Sequence, residues 1–165
     1  MPTVPDHPAA TAAVSYPVCP VVAVGAVVFR SARVLLVRRG QPPSQDLWAI
    51  PGGRVRLGET LQAAAERETL EDTGLTVRAR QPVYTFDLLE KDSQGRIRFH
   101  YVIVDLIADY VTGTISAGDD ARAARWIGPE EIRHLKVSRH TIELLQRQFG
   151  FGRPPAAGLP VPEGS

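Results

Sequence analysis

Apolar, β-branched segments dominate the first part of the chain and predict a β-sheet. The run VVAVGAVVF at 21–29 is nearly continuous, which is typical of a strand buried on both faces. RVLLVRR at 33–39 follows after a short connection, so we expect these two strands to form a hairpin. Further strands are predicted at 47–50, 76–90, 97–108 and 124–128.

Helical signals occur in three segments between and after these strands. Residues 60–73 begin at Thr60, which can cap a helix, and end before Gly74, which suits a left-handed stop. The segment 138–149 is amphipathic, and 129–135 opens with a proline typical of a first helical turn. Because strands flank and separate the helices without strict alternation, we predict an α/β fold with a mixed β-sheet between helices.

The chain is predicted to form one folded domain with a tail at each end. Its 165 residues, 44% of them hydrophobic and 22% charged, fit one domain at 17–150. Residues 1–16 are rich in Pro, Ala and Thr and show no periodicity, so they predict a flexible N-terminal arm. Residues 151–165 are rich in Pro and Gly and predict a disordered C-terminal tail.

Charge and composition exclude several classes of partner. A formal net charge of +1 gives no broad field for nucleic acid or an anionic membrane surface. No apolar run reaches the roughly 18 residues of a membrane span, and the N-terminus lacks the basic start of a signal peptide. The single cysteine, Cys19, excludes an intrachain disulfide and is expected to be a small buried residue. We therefore expect a cytoplasmic protein.

The helix predicted at 60–73 becomes acidic where its core-facing side should continue. At about 100° per residue, Glu68, Glu71 and Asp72 fall on the face that carries alanines one and two turns earlier. Such like charges cost roughly 0.2–0.5 kcal/mol a pair, and acids near a helix C-terminus cost about 0.3–1 kcal/mol each. A bound divalent cation removes both objections, and carboxylates without nearby His or Cys favour Mg²⁺ or Mn²⁺ over Zn²⁺. The alternative is a solvated acidic surface with Arg67 as a local ion-pair partner.

The segment before this helix offers backbone groups and another carboxylate. Pro51, Gly52 and Gly53 predict a tight bend at a strand end. Its exposed carbonyls can add a metal ligand and its N–H groups can face an anion, although two glycines by themselves can be a mere turn. Glu59 can pair with Arg67 and hold the loop against the helix.

These residues together resemble the Nudix box, G-x5-E-x7-R-E-U-x-E-E-x-G-U, in which U is a bulky apolar residue. Two positions depart from the pattern: Asp72 stands where the second glutamate of the pair is usual, and Thr69 stands where U is usual. The shorter aspartate makes coordination there weaker or water-mediated. The fixed positions that match are Gly53, Glu59, Arg67, Glu68, Glu71, Gly74 and Leu75.

The resemblance implies a Nudix-type α/β/α sandwich and a metal-dependent hydrolysis of a nucleoside diphosphate linked to another group. It implies that Glu68, Glu71 and Asp72 ligate Mg²⁺ or Mn²⁺ and that Gly53 lends a carbonyl. The resemblance also implies that Arg67 and Glu59 form an ion pair that orients the site.

The general base in this family is either a box glutamate or an acid on a later loop. The box candidate here is Glu71, and the later candidates are Asp119 and Asp120. The two aspartates can equally be solvated loop acids. A metal lowers the pKa of bound water, so a carboxylate that is not consumed by coordination can serve as the base.

Segments outside the box resemble ADP-ribose pyrophosphatases, namely RRGQPPSQDLWAIPGG at 38–53 and RFHYVIVDL at 98–106. Arg38 and Arg39 are adjacent strand residues that point to opposite faces, so one can meet phosphate and the other water. Trp48 either packs in the core or stacks on a base or ribose. His100 is either a hydrogen-bonded structural histidine or a substrate contact. We predict substrate contacts from Arg38, Arg39, Trp48, Gly52 and His100.

Three functions are open at this point. The first is hydrolysis of ADP-ribose or a related nucleotide sugar to AMP and a sugar phosphate. The second is a house-cleaning, MutT-like pyrophosphohydrolase of modified nucleoside triphosphates. The third is a non-catalytic ligand-binding module on the same fold, against which the intact acids argue. The expected partner is a small nucleotide, and the apolar first strand and the arm would permit a homodimer.

Overall fold

The computed structural model describes residues 15–118 and 120–154. Strands β1 and β2 are joined by a two-residue turn in which Ser31 and Ala32 have φ of 48° and 57°, as a type I′ hairpin requires. Helix α1 follows four strands, and helix α2 follows a 3₁₀ turn at Glu131–His134. The elements are β1 Val21–Arg30, β2 Arg33–Arg39, β3 Trp48–Ala49, β4 Gly52–Arg54, α1 Leu61–Thr73, β5 Thr76–Lys91, β6 Ile97–Thr112, β7 Ala121–Ile127 and α2 Arg139–Phe149.

The strands form one mixed sheet that opens along β1. Its order is β3-β2-β1-β6-β5, with β4 paired to β1 and β7 paired to β2. β1 runs parallel to β6 and antiparallel to its other partners. Near its end, at Phe29 and Arg30, β1 pairs with β2, whereas at residues 23–25 it pairs with β4. The sheet therefore divides, and the division leaves a cleft beside β1.

Each face of the sheet packs against one helix. On one face α1 contributes Ala64 and Ala65 to a core shared with Leu75 and Leu106. On the other face α2 contributes Leu144 and Leu145 to a core with β1 and β2 residues such as Val27 and Leu36. This arrangement is the predicted α/β/α sandwich with a mixed sheet between helices. No helix in the described ranges is long and apolar enough to cross a membrane.

Several local predictions differ from the structure. The predicted helix at 129–135 is one 3₁₀ turn, and β7 begins at Ala121, three residues before the predicted strand. The glycine bend contains the short strand β4, because its backbone pairs with β1. Cys19 is exposed, since it lies in the irregular segment before β1. The predicted arm and tail lie outside the described residues except for their ends nearest the domain.

Candidate active site

Small residues dock α1 on the sheet and bring its acidic end to the cleft. Ala64 and Ala65 are fully buried, as are Thr69 and Thr73 in the later turns. The Thr69 hydroxyl donates to the carbonyl of Ala65 at 2.7 Å, and the Thr73 hydroxyl to that of Thr69 at 2.6 Å. A threonine therefore fits the apolar position of the box, because its hydroxyl is satisfied within the helix.

One guanidinium, that of Arg67, organises the carboxylates around it. It donates to both oxygens of Glu59, with Nε–Oε1 at 2.6 Å and Nη2–Oε2 at 2.9 Å. Its Nη1 reaches Oε1 of Glu68 at 2.5 Å and Oε2 of Glu71 at 3.3 Å, and its Nη2 donates to the carbonyl of Arg54 at 3.0 Å. The hydrogen bonds from Arg67 lower the pKa of Glu59 to about 2, and those to Glu59 raise the pKa of Arg67. The pair that the sequence predicted therefore ties the loop to the helix.

The two glycines of β4 allow this strand to lie close to both β1 and the acidic helix. A Cβ on Gly53 would lie 2.3 Å from Oε2 of Glu68, and one on Gly52 would lie 2.1 Å from the carbonyl oxygen of Val24. The N–H of Gly52, predicted to face an anionic substrate, donates to Oδ2 of Asp72 at 3.3 Å. A side chain at Gly53 would push the strand and helix apart, and one at Gly52 would push β4 away from β1.

Asp72 is the most enclosed carboxylate of the cluster. Its pKa is raised to about 6, chiefly by burial; the hydrogen bond from Gly52 opposes this increase, and the negative charge of Glu68 adds to it. With Glu68, Glu71, Gly118 and Asp120 it lines a small cavity of about 320 Å³. The loop candidate Asp120 thus lies on the same cavity as the box carboxylates, whereas Asp119 lies outside the described residues.

The side-chain oxygens around this small cavity are of the chemical type that binds Mg²⁺ or Mn²⁺. Four carboxylates line it, and hard oxygen ligands are those these ions prefer. In the described ranges no three acidic, histidine or cysteine side chains already converge as around an ion. Glu68 and Glu71 are instead ion-paired with Arg67, so a bound cation would share these two carboxylates with the guanidinium.

A larger cavity of about 670 Å³ opens beside the carboxylates. It is lined by Glu68, Asp72 and Asp120 at one end and by apolar residues such as Phe86 and Leu88 at the other. This size and this mixture of polar and apolar lining are usual for small-molecule sites. Cationic side chains on its wall are Arg39, Arg54 and Arg56.

The structure separates the five predicted substrate contacts. Arg39 and Gly52 line the larger cavity, and Nε of Arg39 donates to the carbonyl of Pro43 at 2.9 Å. Arg38 points away and pairs with Asp46 at 3.6 Å, as the alternation of strand side chains requires.

Trp48 and His100 are not among the residues that line this cavity, and their roles as substrate contacts stay predictions. Trp48 is 9% exposed and packs in the core beneath α2, the other alternative that the sequence allowed. His100 belongs to the opposite face of β6, because Tyr101 and Ile103 are the residues that line the cavity. Neither position could be fixed before the strand register was known.

The cavity residues that the sequence analysis did not predict include Arg54, Phe86 and Asp105. Arg54 donates through Nη2 to the hydroxyl of Tyr101 at 2.7 Å. Asp105 is only 3% exposed and stands in the otherwise apolar run VIVDLIA. A single acid inside such a run is the signal that could have revealed it.

The family follows from the comparison with known proteins. A family model described as the NUDIX domain matches residues 20–149. The chain belongs to the Nudix family, and it is accordingly a pyrophosphohydrolase. The predicted family and enzyme class are thus confirmed.

Three similar proteins show which kinds of Nudix protein this chain resembles. The chain is 33% identical over 123 residues to the ADP-ribose pyrophosphatase of Methanocaldococcus jannaschii, covering 74% of this chain and 70% of that one. It is 27% identical over 142 residues to a MutT-like protein of Streptomyces ambofaciens, covering 85% and 84%. The chain is also similar to a crystal structure of a bifunctional NMN adenylyltransferase/ADP ribose pyrophosphatase from Francisella tularensis, complexed with AMP and Mn ion. The sequence identity is 25% and the TM-score is 0.61, and the match covers 78% of this chain and 41% of that chain.

Proposed function

We propose that this protein hydrolyses the diphosphate bond of ADP-ribose or a related nucleotide sugar, giving AMP and a sugar phosphate. The observation that carries the proposal is the meeting of a four-carboxylate cluster with a cavity large enough for a nucleotide. The similarity to an archaeal ADP-ribose pyrophosphatase supports the choice of substrate. The segments 38–53 and 98–106, which resemble that subgroup, contribute all of β3 and parts of β2, β4 and β6 to the sheet around the cavity.

Glu68, Glu71 and Asp72, with the carbonyl of Gly53, are the groups that would hold a divalent cation. When bound, Mg²⁺ or Mn²⁺ screens the diphosphate oxygens and lowers the pKa of a bound water. The Mn ion in the Francisella tularensis complex supports a divalent metal in this family.

The side chains divide the remaining work. Arg39, Arg54 and Arg56 are placed to neutralise phosphate oxygens, since all three line the cavity beside the carboxylates. Arg67 and Glu59 fix the box loop against α1, so they orient the carboxylates without entering the cavity. Glu71 is half-exposed at the small cavity, and Asp120 lies on the same cavity, so either can accept the proton of the attacking water.

The second candidate function is pyrophosphohydrolysis of a modified nucleoside triphosphate. The similarity to a MutT-like protein, which spans most of both chains, favours it. The same carboxylates would serve, and the cavity would hold a base and one sugar in place of a dinucleotide-like substrate.

An assay with two coupling enzymes separates these candidates. With Mg²⁺ and alkaline phosphatase, ADP-ribose yields phosphate only after its diphosphate bond is cut. With Mg²⁺, triphosphates yield phosphate that depends on added inorganic pyrophosphatase only if pyrophosphate is released. We expect phosphate in the first assay with a kcat/KM at least tenfold above that of any triphosphate. A larger value for a triphosphate would transfer the proposal to the second candidate, and no turnover in either assay would leave a binding module.

The homodimer and the cytoplasmic location stay predictions. Light scattering after gel filtration tests the dimer, for which a chain of 18.0 kDa predicts about 36 kDa. A mass near that of one chain at all concentrations would remove it.

A further inference from the structure

Asp105 is a buried acid that the hydrolytic mechanism does not use. It lies on β6, is 3% exposed, and lines the larger cavity on the same face as Tyr101 and Ile103. Burial alone raises the pKa of its carboxyl to about 7, and no hydrogen bond from the described part of the chain contributes. Because this carboxyl opens onto the cavity and receives no hydrogen bond from the described residues, a ligand in the cavity can supply its donors.

The surroundings of Asp105 leave room for this carboxyl. A Cβ on Gly25, its neighbour across the β1–β6 pair, would lie 2.3 Å from Oδ1 of Asp105 and 2.6 Å from Cδ1 of Ile50. Only glycine at this position lets the carboxyl lie flat on the strand and face the cavity.

The sheet register places Asp105 at a defined distance from the acidic cluster. Gly52 pairs with Gly25, and Gly25 pairs with Asp105, so the three residues lie in one row across β4, β1 and β6. Adjacent strands are about 4.8 Å apart, which puts Asp105 about 10 Å from the Gly52 backbone that meets Asp72. One strand further out, on β5, Phe86 and Leu88 give the cavity an apolar wall.

The succession of acidic cluster, Asp105 and apolar wall across the sheet matches the order of groups in a nucleotide. Phosphates belong beside the carboxylate cluster and its arginines, and a flat base belongs against the apolar wall of Phe86 and Leu88. The sugar then lies over β6. We propose that Asp105 is a specificity-determining residue that accepts hydrogen bonds from the vicinal hydroxyls of a ribose in the substrate. The inference rests on the proposed function for the identity of the substrate, but its central test needs only a nucleotide.

Binding measured without turnover tests the proposal directly. Isothermal titration of the metal-free protein compares AMP with 2′,3′-dideoxy-AMP, and ribose 5-phosphate with its 2,3-dideoxy form. We expect the wild-type protein to prefer one hydroxylated ligand by roughly 10- to 100-fold. Preference within the AMP pair assigns the adenosine ribose, and preference within the ribose 5-phosphate pair assigns the terminal ribose.

Variants of Asp105 should erase that preference. Asp105→Leu keeps the shape and removes both acceptors, so its affinities for the hydroxylated and dideoxy ligands should become equal. Asp105→Asn keeps one acceptor, so its preference for the hydroxylated ligand should lie between those of the wild type and Asp105→Leu. Asp109→Asn is the matched control, because Asp109 lies on the same strand but is exposed and paired with Arg80. This control should bind like the wild type.

Kinetics supply a second readout for the same variants. With ADP-ribose and Mg²⁺, Asp105→Leu should raise KM at least tenfold while kcat stays within about threefold. A wild-type protein that does not distinguish hydroxylated from dideoxy ligands, or a leucine variant that keeps the distinction, would overturn the proposal. If ADP-ribose is not hydrolysed but the AMP pair is distinguished through Asp105, the proposed function fails and this inference stands.

Discussion

The two helices on opposite faces of the sheet are capped in the same way but bury different kinds of residue. α1 begins at Thr60, whose hydroxyl accepts from the N–H of Ala63 at 3.1 Å, and α2 begins at Ser138, whose hydroxyl accepts from that of Thr141 at 3.3 Å. Both end at a left-handed glycine, with φ of 72° and 63°. These caps indicate that a helix is present, but they carry no information about its function.

The difference lies in the face that each helix turns to the sheet. α2 buries Leu144 and Leu145 against the sheet and carries mostly polar residues on its opposite side, as a packing helix should. α1 buries alanines and threonines, leaves Leu70 half-exposed, and sets carboxylates along the edge of its buried face. α2 keeps the rule that the face turned to the core is apolar, whereas α1 breaks it with carboxylates. We infer that α1 is the functional helix of the two.

Replacing Glu71 by Gln should have the largest effect. If Glu71 is a ligand or the base, turnover of the preferred substrate should fall by roughly 10²–10⁴-fold. The melting temperature without metal should change little, because Glu71 is half-exposed and its contacts with Arg56 and Arg67 are both 3.3 Å long. Steady-state kinetics and thermal melts in EDTA measure the two effects.

The matched control for this change lies on the same helix. Glu66 points away from the cavity and accepts from the N–H of Ala79 at 2.9 Å, a bond that glutamine can also accept. Glu66→Gln should therefore keep wild-type turnover. Equal losses in the two variants would mean that charge on α1 in general, not the cavity-lining acid, sets the rate.

Truncating Leu144 to Ala should produce the opposite result on the other helix. Leu144 is fully buried, so the change should lower the free energy of unfolding by about 2–5 kcal/mol. The kcat of the remaining folded protein should be unchanged, since α2 supplies only Thr141 to the cavity lining. Urea unfolding and assays well below the melting temperature check this, and a large drop in kcat would show that α2 also shapes chemistry.

The sheet between the helices should show a pH-dependent stability that Asp105→Asn removes. The folded pKa of Asp105, about 7, lies above its unfolded value near 3.8, so between these values the native state holds a proton that the unfolded chain has lost. Wild-type stability should thus fall as pH rises from about 4 to about 7, by at most about 4 kcal/mol from this group. Other groups, Asp72 included, are common to both proteins.

Thermal melts of the two metal-free proteins at pH 5, 6, 7 and 8 measure this difference. The melting temperature of Asp105→Asn relative to the wild type should rise across the series and level off above pH 7. A constant difference would show that the carboxyl titrates alike in the folded and unfolded chains.

The smallest expected effect concerns the shared ends of the two helices. Thr60→Ala and Ser138→Ala each remove a side-chain acceptor and should each lower the free energy of unfolding by about 1 kcal/mol. Neither should change kcat by more than about twofold. A clear loss of kcat in Thr60→Ala alone would show that the start of α1 also positions the box loop.

Much of the fold was predictable because its signals are local. The buried run of β1, the hairpin to β2 and both helices with their caps need only neighbours in the chain. The strand β4 was missed because two glycines carry no strand signal, and pairing with β1 alone makes them one. The 3₁₀ turn at Glu131–His134 was taken for a helix because proline and acids start both kinds of turn alike.

The site divides in the same way. Arg67, Glu68 and Glu71 lie on one helix and Glu59 lies just before it, so their spacing is local and the sequence by itself determined the box and its pairing. Which of Arg38 and Arg39 enters the cavity, and that Trp48 does not, depended on strand register. Asp105 meets Gly25 and faces the cavity through pairing across some eighty residues, so only the tertiary structure decided it. Local hydrogen bonds and periodicity specify elements, whereas long-range pairing specifies which side chains share a cavity.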